Sequence, residues 1–226
     1  MSQPPPRRFE YTSTQMANLR AALSEDRFAR YLALAKGDEA EAIKRYEVNT
    51  ALSEGLYGVL QGFEIVLRNS IHETMKKATG HEDWHEHIGL EPPELQSIAK
   101  AQAKIVRKGE NVTVPRVVSE LTFGFWSSLT GRGYADRLWV RHLHKAFPFK
   151  RLGRKEAFSR LDAIRFLRNQ VAHHECILMR DLKQDYLNII EAAGWICPDT
   201  AIWIRETTRF ETSYRLIYGT RIQVPE

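Results

Sequence analysis

The sequence predicts an all-α fold, a helical bundle that forms a single domain. Apolar residues recur at intervals of three and four along most of the 226-residue chain, which is the period of a helix. No convincing run of period-two alternation indicates a strand, and no low-complexity linker divides the chain. We therefore expect one helical domain over residues 13–226, after a disordered lead of residues 1–12 that begins MSQPPPRRFE.

Four helices are predicted in the first half of the chain. The longest spans residues 50–78, where one apolar stripe runs to Gly80, a residue suited to the left-handed position after a helix. Pro92-Pro93 opens another helix, because proline is tolerated in the first helical turn. The four predictions are 14–36, DEAEAIKRYEVN, 50–78 and 93–108, the last followed by a turn at KGEN.

Five helices are predicted in the second half. Pro115 begins one that runs through VVSELTFGFWSSLTG, and a later one at YADRLWVRHLHKA ends before Pro148. A strand pair in YGTRIQV, near the C-terminus, is the alternative that the pattern leaves open. The remaining predictions are helices at 154–174, near 181–193 and at 199–218.

Composition excludes several classes of protein. No apolar run approaches the ~20 residues that cross a bilayer, and the N-terminus has no apolar core of a secretory signal. Two cysteines, Cys176 and Cys197, make no disulfide framework, so we expect a reduced, cytoplasmic setting and no cofactor. Residues 111–226 carry 18 Lys and Arg against 12 Asp and Glu, which suits a phosphate-bearing partner or a solvated basic face.

The tripeptide Leu-Arg-Asn occurs twice, in EIVLRNSIHE and in FLRNQVAHHE. If residues 158–175 form one helix, Arg165, Arg168, Asn169 and His173 share one arc, while His174 leans toward the core. Arg168 and His173 are then about 140° apart on the helix. They converge on one ligand only if the arginine bends, the helix deforms or a second copy supplies the partner.

An arginine beside a histidine suits phosphodiester chemistry. The guanidinium of Arg168 presents a fixed fork of donors to phosphate oxygens and stays charged. Imidazole as a chemical group can take or give a proton near neutral pH, so His173 suits proton transfer, with Asn169 placed to orient either group. Because RNA supplies its own 2′-hydroxyl as nucleophile, the pair could cleave RNA without a metal and leave a 2′,3′-cyclic phosphate.

The first copy predicts a polar stripe. Glu64, Arg68 and His72 are spaced i, i+4 and i+8, and we expect Glu64 to pair with Arg68 along the helix. His72 follows Arg68 by only four places, so this copy does not repeat the spacing of Arg168 and His173. We interpret Glu64, Arg68, Asn69 and His174 as supporting residues.

Five fragments of the chain together resemble the Abi-like proteins, the AbiD/AbiF group of phage abortive-infection proteins within the HEPN superfamily. Arg168-Asn169-Gln170-Val171-Ala172-His173 fits the R-x4-H motif of HEPN domains. The fragments are LSEDRFARYL, YEVNTALSE, FEIVLRNSI, ELTFGFWSSL and IRFLRNQVAHHECI. The resemblance implies an all-α HEPN-like core with additional helices, and an endoribonuclease acting on phage or host RNA.

The resemblance also implies roles and partners. Arg168 and His173 match the catalytic pair and Asn169 the polar second position, while Glu64, Arg68 and Asn69 match an earlier Glu-x3-Arg-Asn segment. HEPN domains commonly form homodimers in which two motifs face one cleft, and a small non-coding RNA restrains some relatives. The alternatives left open are a non-catalytic RNA-binding or regulatory module, and a toxin with a protein antitoxin.

Other features are given weaker roles. We expect RNA contacts from the basic residues beside the motif, which are Lys150, Arg151, Arg154, Lys155 and Arg165. A metal site among His81, Asp83, His85, Glu86 and His87 is considered, and no metal is expected, because histidine-rich surface turns are common. Trp126 and the aromatic C-terminal run are expected to be core more than base-stacking platforms.

Overall fold

The computed structural model describes residues 10–222, in which ten α-helices and no strand are found. This confirms the predicted all-α, single-domain bundle. The helices are α1 (Ser13–Leu23), α2 (Glu25–Leu34), α3 (Glu39–Thr79), α4 (Pro92–Arg107), α5 (Val114–Glu120), α6 (Phe123–Ser128), α7 (Arg154–Ala172), α8 (Leu182–Ile196), α9 (Pro198–Thr207) and α10 (Phe210–Tyr218).

Helix α3 is the axis of the bundle. Its 41 residues extend about 60 Å at 1.5 Å per residue, and they merge two helices that the sequence pattern separates. The Asp38 side chain caps the start by accepting from the Glu41 N–H, and Gly80 ends it at φ 78°, as predicted. Residues 47–54, where the two predicted helices meet, contain no glycine or proline, so no helix-breaking residue separates them.

Three predicted helices are broken. Residues 14–36 divide at Ser24, which has φ 70° and separates α1 from α2. Leu121 and Thr122 are extended and separate α5 from α6. The predicted helix at 199–218 is interrupted at Thr208, which is extended and separates α9 from α10.

Residues 134–146 are not one α-helix, which corrects another prediction. The chain forms short 3₁₀ turns at Arg132–Tyr134 and Leu143–Ala146 around a wide turn at Ala135–Trp139, closed by the Val140 N–H on the Ala135 carbonyl. Leu138, Trp139 and Leu143 are all buried. The winding here is thus first tighter and then wider than that of an α-helix, and it still turns these three side chains into the core.

The main core forms where α7, α8 and the C-terminal helices pack around α3. Two glycines allow close approach: a Cβ at Gly55 would lie 2.9 Å from the Phe210 Cα, and one at Gly62 would lie 2.9 Å from Ile204. Trp126, Trp195 and Phe210 are buried, as expected, whereas Trp203 is 54% exposed. A smaller core of Phe28, Tyr31, Ala35, Ala42 and Ile43 joins α1 and α2 to the start of α3.

The predicted lead of residues 1–12 lies mostly outside the described part of the chain, which begins at residue 10. Tyr11 packs against the smaller core and its hydroxyl donates to Glu47. Thr12 caps α1. Among residues 10–222, no helix is both long and apolar enough to cross a membrane. No strand forms in the described part of YGTRIQV, which ends at Ile222.

Candidate active site

A cleft open to solvent lies between α3, α5 and α7. Its volume is about 320 Å³, and three of the predicted site residues line it: Glu64, Arg68 and Arg168. The floor is apolar and the rim includes two exposed side chains of α3. The apolar lining residues are Leu60, Leu121 and Val171, and the exposed ones are Tyr57 and Ile65.

Glu64 bonds to the second motif and not to its own helix. The Arg168 Nε donates to the Glu64 Oε2 over 3.2 Å, whereas the Arg68 Nε donates to the Asn69 Oδ1 over 3.1 Å. The predicted Glu64–Arg68 pair is therefore wrong. Helices α3 and α7 are packed side by side, so Glu64 on α3 can reach Arg168 on α7. The hydrogen bond holds the Nε edge of the Arg168 guanidinium group, and the other N–H donors of that group remain for a ligand.

The two histidines lie beyond the end of α7. The helix ends at Ala172, His173 is its C-cap at φ −93° and ψ 9°, and His174 is left-handed at φ 56°. The Glu175 N–H donates to the Gln170 carbonyl over 2.8 Å and the His174 N–H donates to the Val171 carbonyl over 3.2 Å. This pair of bonds is a Schellman motif, in which a histidine occupies the position usually held by glycine.

This helix end changes the expected placement of both rings. His173 and His174 are exposed, so the prediction that His174 leans toward the core is wrong. The helical arrangement assumed for residues 158–175 does not continue after Ala172, because the left-handed backbone of His174 reverses the direction of the chain. His173 is solvent-accessible next to the cleft helix, although it is not among the residues that line the cleft.

We expect His174→Gly to stabilise the protein. A non-glycine residue in the left-handed region costs roughly 1 kcal/mol, and glycine removes that cost. The midpoint of thermal unfolding should rise by about 2–4 °C. His173→Gly is the matched control, because His173 has negative φ and glycine there should lower the midpoint.

A clamp that sequence reasoning missed holds the segment carrying the histidines. Asn49 is buried on α3, where its Nδ2 donates to the Glu175 carbonyl over 3.1 Å and its Oδ1 accepts from the Ile177 N–H over 2.8 Å. The Arg27 Nη1 donates to the His174 carbonyl over 2.7 Å. The fragments YEVNTALSE and LSEDRFARYL therefore both contact the end of the motif.

The other fragments of the resemblance also meet at α7. Glu64, from FEIVLRNSI, binds Arg168, and Leu121, from ELTFGFWSSL, lines the cleft. Helix α6, from the same fragment, packs against α7. Fragments that are far apart in sequence thus surround one helix and its C-terminal end.

His72 does not extend the polar stripe into the cleft. It is half-buried and accepts a hydrogen bond at Nδ1 from the Trp84 indole over 2.9 Å. Burial lowers its pKa below the ordinary value for histidine. We therefore assign His72 a structural role at the far end of α3.

The basic residues expected to contact RNA are only partly free. Lys150 pairs with Glu156 and Glu191, Arg154 donates to the Thr130 carbonyl, and Arg165 pairs with Asp162. Arg151 and Lys155 are exposed and make no ion pair among the described residues. Between Asp136 and Glu156 the chain contains no carboxylate, so Arg151 and Lys155 belong to a basic segment of the sequence.

Neither a protein-family model, nor a curated protein, nor a solved structure matches this chain.

Proposed function

We propose that the protein is a metal-independent endoribonuclease of an abortive-infection phage-defence system, with an active site of the HEPN type. The observation that carries the proposal is the pairing of Glu64 with Arg168 in a solvent-open cleft that also contains Arg68. Two guanidinium groups beside one carboxylate leave an excess of positive charge where a phosphodiester can bind.

Each residue then has a chemical role. Arg168 and Arg68 bind the scissile phosphate and stabilise the charge that develops on its oxygens. His173 accepts the proton of the 2′-hydroxyl, or donates one to the leaving 5′-oxygen, and Asn169 orients it. The 2′-oxygen attacks the phosphorus, the P–O5′ bond breaks, and the products are a 2′,3′-cyclic phosphate and a 5′-hydroxyl. Glu64 and Asn69 position the two arginines.

A homodimer would complete the site. His173 is exposed outside the lining of its own cleft, so a second copy with its α7 alongside could bring one His173 to the Arg168 of the other. The exposed Phe158 and Phe166 on α7 provide apolar surface for such a contact. The separation of His173 from the cleft of its own subunit would then be bridged between subunits.

The test is cleavage of an end-labelled RNA in the presence of EDTA, with wild type beside His173→Ala. We expect wild type to generate discrete products and the variant to lose at least about 100-fold in rate, as is typical when a general acid–base group is removed. Equal cleavage by the two proteins would remove His173 from the mechanism, and cleavage stopped by EDTA would contradict a metal-independent reaction.

A second candidate is a non-catalytic RNA-binding or regulatory module, acting with a small non-coding RNA or a protein antitoxin. The ion pair between Glu64 and Arg168 favours this candidate, because the carboxylate already neutralises the arginine. The exposed basic side chains of Arg151 and Lys155 also favour it, because they can bind RNA phosphates. This function predicts salt-sensitive RNA binding without products, unchanged by His173→Ala. RNA products that form with wild type and not with His173→Ala would support the ribonuclease over the non-catalytic module.

A further inference from the structure

Three metal-ligating side chains converge in the segment that joins α3 to α4. The ligand atoms of His81, Asp83 and His87 all lie within 4.8 Å of one another. Among residues 10–222 this is the one group of histidine, cysteine and acidic side chains with that property. The sequence pattern considers a different combination, with His81 and His85 one turn apart, but His85 is buried and does not belong to this group.

We propose that His81, Asp83 and His87 form a binding site for a divalent transition metal of the zinc class. Zn²⁺ is bound at about 2.0–2.2 Å by histidine nitrogen and carboxylate oxygen, so ligand atoms in a tetrahedral site lie about 3.3–3.5 Å apart. The His87 Nε2 and the Asp83 Oδ1 are 3.3 Å apart, which matches that separation. The third ligand, His81, is on an exposed side chain, and its ligand atom lies within 4.8 Å of the other two, so rotation of that side chain can complete the triangle.

The imidazole rings of His81 and His87 lie next to each other. They are stacked with centroids 4.0 Å apart and planes 19° from parallel. Because the lone pair of an imidazole nitrogen lies in the plane of its ring, the exposed His81 ring must turn out of the stack for both histidines to bind one ion. Two nitrogens and one oxygen leave a fourth position for water or for a carboxylate of another molecule.

The backbone of the segment is fixed before any metal binds. Trp84 is buried in the main core and donates its indole N–H to His72 on α3. The turn is closed by the Glu86 N–H on the Asp83 carbonyl and by the His87 N–H on the Trp84 carbonyl. Asp83 and His87 are therefore held on the same face of a rigid turn, which lowers the entropy cost of binding.

The site is separate from the candidate active site. Arg68 lines the cleft, and Thr79 lies eleven residues further along α3, about 16 Å by helical rise. A metal here would link the end of α3 to the turn before α4, without contacting Arg168. The proposal is independent of the proposed ribonuclease activity, which requires no metal.

The experiment is titration of the metal-free full chain with Co²⁺, followed by visible absorption, and with Zn²⁺, followed by calorimetry. We expect one ion per chain at micromolar concentration and the visible bands of a four- or five-coordinate Co²⁺ centre. The double variant His81→Ala/His87→Ala should lose both signals, whereas His142→Ala, which changes a histidine outside the group, should keep them. Zn²⁺ at about 100 times its Kd should raise the unfolding midpoint of wild type by roughly 5–10 °C.

Two results would overturn the proposal. One is the absence of saturable Co²⁺ or Zn²⁺ binding to wild type up to 1 mM ion, on the order of a thousand times weaker than micromolar binding. The other is binding that the double variant retains in full. Because the three side chains are on the surface, the metal-free variant should melt at the temperature of the metal-free wild type, and this check shows that a lost signal reflects lost ligands.

Discussion

Replacing Arg168 by lysine is expected to reduce RNA cleavage by about 10²–10³-fold while leaving the fold intact. Lysine keeps the positive charge, but it cannot bind Glu64 and bridge two phosphate oxygens at the same time, as the planar guanidinium can. Removing one charge-stabilising donor from a transition state typically costs this much in rate. The measurement is the single-turnover rate on a labelled RNA in EDTA.

Arg160→Lys is the matched control for that substitution. Arg160 is on the same helix, where it pairs with Glu191 and lies over the Trp195 ring, away from the cleft. Its replacement should leave the cleavage rate within about twofold and cost roughly 1 kcal/mol in stability. Two results would show that the guanidinium group of Arg168 has no special role. One is a cleavage rate unchanged in Arg168→Lys, and the other is an equal loss of cleavage rate in both variants.

Replacing Asn49 by leucine is expected to destabilise the protein by roughly 2–4 kcal/mol. The change removes two hydrogen bonds and leaves the buried Ile177 N–H and the Glu175 carbonyl without the partner they have now. The midpoint of thermal unfolding should fall by roughly 5–12 °C. RNA cleavage by the folded fraction should also fall, since the Asn49 clamp fixes the segment that follows His173.

Asn111→Leu provides the comparison for Asn49. Asn111 is an exposed asparagine in the turn before α5, so its replacement should change stability by less than about 0.5 kcal/mol. Chemical denaturation of both variants measures the difference. If Asn49→Leu unfolded at the same denaturant concentration as wild type, the clamp would contribute nothing to the structure.

The sequence predicts the fold class better than the helix boundaries. The 3.6-residue period identified the helical content, and Gly80 marked the end of α3 because a left-handed cap favours glycine. The break at Ser24 and the irregular winding around Trp139 were missed. Both depend on backbone conformations that the apolar period does not report, which are a positive φ at Ser24 and a wide turn closed by the Val140 N–H on the Ala135 carbonyl.

Three of the predicted site residues line one cleft, but the contacts between them differ from the predicted ones. Arg168, Glu64 and Arg68 could be selected from the repeated motif, and the structure brings all three to one cleft. The partner of Glu64 could not be predicted, because an i, i+4 spacing favours Arg68 unless the packing of α3 on α7 is known. The two histidines were misplaced since a helical wheel assumes that the helix continues, and His174 ends it with φ 56°.

The chemical nature of the RNA ends produced by the metal-free protein tests the central claim most directly. An RNA labelled at its 5′ end would be treated in EDTA, and the cut ends would be identified by their response to phosphatase before and after mild acid. The Arg168–His173 mechanism predicts a 2′,3′-cyclic phosphate and a 5′-hydroxyl, with no cut at a position carrying a single 2′-deoxy substitution. Products ending in a 3′-hydroxyl, or continued cutting at the 2′-deoxy position, would contradict it.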